Sequence, residues 1–200
     1  MCNRSMTNKK LKRASDMMKY QIAFVTGTRN LMTVYLALHH SMGVSTNKIL
    51  VLDDMLINEY IPRCKQDAAA DVLLEQAKRF LQAVNISWRD IADIVTEMSM
   101  PYLIPARYER RQLLAILESM SEDMAMYLKM LHLELGYGTK RLTRVLDAVK
   151  AYKGDALKEA SETFGFDYGD MTALPTIEGK KSKNVLDGET ARMIRELMGA

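Results

Sequence analysis

The chain has 200 residues, 48% hydrophobic and 26% charged, which is the balance of an ordinary globular protein with room for one large or two small domains. A formal net charge of +3 permits nucleic-acid binding without demanding it. Cys2 and Cys64 lack metal-type spacing, no apolar run approaches the roughly 18 to 20 residues of a membrane helix, and no apolar stretch directly follows the N-terminal lysines. A cytoplasmic protein with free thiols and no membrane contact is expected.

Only four Pro and ten Gly, beside 16 Met, favour helix over sheet. Leu11, Ala14, Met18, Ile22 and Val25 predict an amphipathic helix over 8–25, ended by Thr26-Gly27-Thr28. Its first half carries Lys9, Lys10, Lys12 and Arg13, cations that oppose the helix dipole and therefore suit a phosphate backbone or a solvated terminus. Leu31, Val34, Tyr35, Leu38 and Met42 define a second helix that stops at Gly43, and Ser45 or Thr46 is placed to cap a third. That third helix turns Ile49, Leu52, Leu56 and Tyr60 to one side and ends before Pro62. A fourth covers 66–84. Asn85 then stands where a left-handed turn is needed, and Ser87 opens a fifth helix. The segment SMPYLIPA, with Pro101 and Pro105, reads as a loop between two halves. Beyond it Leu114 to Leu135 recur at helical spacing, as one long helix or as two broken near 119–121. Gly136 turns into a helix bearing Leu142, Val145, Leu146 and Val149, and a short helix follows from Ala156 to Phe164.

The expected organisation is all-α: an N-terminal half over 1–100, a C-terminal half over 106–164, a linker over 165–188 and an amphipathic tail helix over 189–200.

One pattern recurs. The stretch 131–147, LHLELGYGTKRLTRVLD, lies without a gap on 38–54, LHHSMGVSTNKILVLDD, so that Leu131, His132, Gly136, Thr139 and Asp147 fall on Leu38, His39, Gly43, Thr46 and Asp54. A third unit around Asn85 fits the same template. Each is an apolar helix end, a residue tolerant of positive φ, and a new amphipathic start, which is the pattern of a helix-turn-helix. In such a unit the second helix offers its early polar residues to a major groove. Those residues are Thr139, Lys140, Arg141 and Arg144 with Tyr137 at the turn, then Thr46, Asn47 and Lys48 after Ser45, then Trp88 and Arg89 after Ser87. The C-terminal copy, over 131–147, is the most basic and the first choice as reader.

The same corners also close helical bundles and scaffold proteins that touch no nucleic acid. His39 and His132 stand where DNA-reading templates prefer a small residue, and they are expected to pack rather than to bind metal. No Walker motif, nucleophile elbow, dinucleotide fingerprint or HExxH pattern is present, so neither enzyme chemistry nor a cofactor is expected.

The run Leu131-His-Leu-Glu-Leu-Gly-Tyr-Gly-Thr-Lys-Arg-Leu resembles a motif of short proteins from phages and mobile elements of Gram-positive bacteria, a likeness that covers about twenty residues. Leu135 departs from that motif, which has an aromatic there. The resemblance implies a phage accessory protein. It would be a regulator binding double-stranded DNA or a nucleoprotein, or an inhibitor of a host defence nuclease of the anti-CRISPR kind.

Overall fold

The computed structural model describes residues 3–60 and 70–166, with the backbone alone over 3–15 and at 60, 70, 71 and 73. The fold is all-α, and no strand occurs among the described residues. Seven helices follow in order: α1 Asn3–Met42, α2 Thr46–Met55 with a π turn Leu56–Tyr60 at its end, α3 Ala70–Ala83, α4 Trp88–Leu103, α5 Arg110–Leu135, α6 Thr139–Ala151 and α7 Ala156–Phe164. The expected linker over 165–188 and the tail helix over 189–200 lie, apart from Gly165 and Phe166, outside the described residues.

Two sequence expectations are corrected, and one open alternative is decided. First, the break at Thr26-Gly27-Thr28 does not occur, and α1 runs through it as one helix. Glycine inside a helix costs only about 1 kcal/mol. Val25, Thr26 and Asn30 are buried around it, and Thr26 and Thr28 return their hydroxyls to the carbonyls of Ile22 and Phe24. Second, SMPYLIPA is mostly helix. Pro101 sits in the last turn of α4, where one missing amide is outweighed by the buried Met100 and Leu103 on either side of it. The chain turns a few residues later, at Arg107, which takes φ 53°. Of the two forms open for α5 the single long helix is found, and at 119–121 Ser121 buries its hydroxyl against the Leu117 carbonyl at 2.7 Å.

α1 is the axis. Residues 32–38 are buried all round, and α1 packs on α4, α5, α6 and α7. The buried residues on either side of Pro105 form one continuous cluster. Near its middle, Asn30 of α1 donates to Ser99 of α4 at 2.9 Å, and both reach the Met120 sulfur of α5, at 3.7 and 3.5 Å. This polar trio fixes the relative height of three helices.

Cross-contacts then give their directions. The Tyr108 hydroxyl donates to the Lys19 carbonyl, Arg29 pairs with Asp155 at 3.0 Å, and His39 meets Phe164 edge-on at 5.6 Å. So α1, α5 and α7 run one way and α4 runs back. From the trio, Met42, Trp88 and His132 each lie about 16–18 Å along their helices toward the same end, at 1.5 Å per residue. Phe80 of α3 meets His132 of α5 at 5.8 Å and so brings α3 close to the same corner. The turns at Gly43, Asn85 and Gly136 therefore gather at one end of the bundle.

Candidate nucleic-acid interface

All three corners share a local geometry. The turn residue is left-handed, with φ 69° at Gly43, 53° at Asn85 and 63° at Gly136, and the next helix begins three residues later, at Thr46, Trp88 and Thr139. A side chain with a Cβ is strained at positive φ, whereas Gly is not and Asn is least so. The two helices of each corner touch little beyond the turn, and each packs mainly on other parts of the bundle.

The histidines have a defined task. His39 Nδ1 lies 2.9 Å from the Val44 carbonyl, and His132 Nδ1 lies 2.8 Å from the Tyr137 carbonyl. A carbonyl only accepts, so Nδ1 carries the proton in both rings. The backbone amide after each glycine bonds back across six residues, Val44 to Leu38 and Tyr137 to Leu131. At the middle corner Leu81 takes the histidine's place, and the amide of Ile86 bonds to the Leu81 carbonyl, five residues back. The imidazole thus clamps a turn that is one residue wider. Sequence reasoning expected packing there but missed the clamp, although the shared His-to-Gly spacing of four was its signal.

The predicted contact residues separate into groups. Thr139, Lys140, Arg141 and Arg144 are exposed on the first two turns of α6. Lys140 and Arg144, one turn apart, have no carboxylate within ion-pair distance among the described residues. The α6 start is capped by Gly138 without a side-chain hydrogen bond, whereas Ser45, Ser87 and Asp155 cap α2, α4 and α7. The Arg141 amide bonds to the Gly138 carbonyl at 3.0 Å, and among the described residues the amides of Thr139 and Lys140 are left for an external acceptor.

Tyr137 belongs elsewhere: it is buried at 7% exposure, a core residue whose ring supports the Arg141 guanidinium 5.4 Å away. Thr46 is half-buried, while Asn47 and Lys48 are exposed at the first corner. Trp88 is half-buried beneath the Lys78 ammonium at 5.5 Å. Arg89 is exposed but sits 3.9 Å from Asp93 and next to Asp90, so the middle corner is close to neutral. Lys9, Lys10, Lys12 and Arg13 lie on α1 beyond Lys19, at the end opposite the corners, and their side chains fall outside the described residues.

At the far end of α6 a cleft of about 260 Å³ opens against α4, with Ile94, Met98 and Pro101 among its lining residues and Lys150 and Lys153 beside them. Lys153 reaches Glu97 at 3.7 Å. Among the described residues no group of three or more His, Cys, Asp or Glu side chains is placed to hold a metal ion, and no helix is long and apolar enough to cross a membrane. No protein-family description, characterised protein or solved structure matches the chain.

Proposed function

We propose that the protein is a non-enzymatic, cytoplasmic regulator of phage type that grips double-stranded DNA with the first two turns of α6. The observation that carries this reading is the pairing of Lys140 and Arg144, which have no carboxylate partner among the described residues, with a helix start that no side chain caps. Amides and cations in that arrangement suit phosphate oxygens, and the exposed Thr139 and Arg141 beside them suit base edges. Asn47 and Lys48, at the same end, would extend the contact along the backbone.

A second reading is favoured by the near-neutral middle corner, where Asp90 and Asp93 offset Arg89. An end with one basic corner and one neutral corner also suits a protein or nucleoprotein partner, such as a bacterial defence nuclease that the chain would inhibit. The test is fluorescence anisotropy of a labelled duplex with wild type and K140A/R144A, beside a pull-down from host lysate. The DNA reading expects binding by wild type at low salt and a loss of tenfold or more in the double variant. Tight capture of a nuclease together with no duplex binding would reverse the order of the two readings.

A further inference from the structure

The outward face of α1 is apolar over more of its length than the bundle covers. Met17, Tyr20, Phe24, Leu31, Tyr35 and Leu38 recur at steps of three, four or seven and so share one stripe of the helix. Toward the corner end this stripe is covered. Tyr35 and Leu38 are buried, and Phe166, the last described residue, stacks on Tyr35 at 6.2 Å. Toward the other end it is bare: Met17 is 64%, Tyr20 74% and Phe24 57% exposed, with Met18 alongside at 45%.

We propose that this bare stripe is the seat of the chain's own C-terminal stretch, 189–200. The chain that leads there leaves the described fold at Phe166, already on the stripe. From Tyr35 the exposed part begins about 16 Å away at Phe24 and ends about 27 Å away at Met17, by helix rise. The connection over 167–188 would average about 26 Å end to end as a coil. Effective concentration is greatest when the reach of a connection matches its span. The stretch itself has Ala191, Ile194 and Leu197 at helical spacing, flanked by Met193 and Met198, an apolar strip suited to Met17, Tyr20 and Phe24. A second copy of the chain suits the stripe less well. Four side chains fall far short of the roughly 20–30 residues a side that a stable interface uses, and a separate molecule also loses translational freedom on binding.

The test is made on the full chain with p-benzoylphenylalanine in place of Tyr20, a side chain exposed enough for the fold to accept the change. Irradiation followed by peptide mapping is expected to give adducts within one chain to 189–200, in a yield independent of protein concentration. Adducts to a second copy that rise with concentration, adducts only elsewhere in the chain, or no adducts would overturn the proposal. A second measurement uses M17S/F24S, which touches only exposed positions. Trypsin is expected to cut at Arg192 and Arg195 several-fold faster than in wild type at equal melting temperature. An unchanged rate would overturn the proposal equally.

Discussion

Removing the imidazole of His39 takes away the hydrogen bond from Nδ1 to the Val44 carbonyl and the edge-on contact with Phe164, besides a contact with the exposed ring of His40 that counts for less. A net intramolecular hydrogen bond contributes about 0.5–1.5 kcal/mol, and an aromatic pair about 0.5–1.5 kcal/mol beyond its buried area. H39A is therefore expected to lose about 1–3 kcal/mol, close to the sum of those two terms. Asparagine supplies a different answer, because its Nδ2 stands where imidazole Nδ1 stands and can still donate to the carbonyl. H39N should recover about 1 kcal/mol of the loss, the value of the bond. Glutamine, whose amide lies one bond farther out, should recover none of it. His132 is more exposed and meets Phe80 at a tilt, so H132A should cost less than H39A. Urea unfolding monitored by circular dichroism reads these differences directly, and a chain of this size shifts about 2–4 °C in melting temperature per kcal/mol. The clamp would be refuted if H39A fell within about 0.5 kcal/mol of wild type, the range of ordinary surface changes, or if H39N proved no better than H39Q.

Three further outcomes follow from named groups. The Thr96 hydroxyl is buried without a hydrogen-bond partner among the described residues, so T96V should raise stability by about 1 kcal/mol in the same urea assay, since an unsatisfied buried group costs about that much or more. At the corners, G136A should cost about 1–2 kcal/mol because of its left-handed backbone, while N85G should be neutral or slightly stabilising. Asp123 remains accessible to solvent yet is crowded by protein, and this desolvation pushes its carboxyl up to about 6. A group whose folded value is raised contributes its stability below its unfolded value, near 4, and loses it as pH rises through about 6. Melting curves of D123N should therefore show its largest gain over wild type at pH 7–8 and little gain at pH 4.

The sequence made most of the helices readable, and the physical reasons are specific. Gly43, Asn85 and Gly136 punctuate the chain because each is left-handed, and their spacing to the next helix start is the same. Gly27 and Pro101 mislead for the opposite reason: both carry breaker chemistry but lie where tertiary packing holds the helix through them. The trio Asn30, Ser99 and Met120 was invisible, since it joins residues from three helices whose proximity no local pattern announces. At the candidate site, the exposure of Lys140, Arg141 and Arg144 followed from the α6 periodicity. The burial of Tyr137 did not, because an aromatic beside a turn glycine reads the same whether it points out or folds back under the corner.

If α6 holds duplex phosphates as proposed, the affinity of the protein for DNA falls with salt at a slope set by the number of those contacts. Each neutralised phosphate contributes about −0.9 to the slope of log K against log salt, so Lys140, Arg144 and Lys48 together predict a slope near −3 for wild type. In K140A/R144A the slope should flatten by about 2, to near −1. Identical slopes in the two proteins, or no duplex binding by wild type at about 50 mM salt where such contacts are strong, would mean that α6 does not hold DNA.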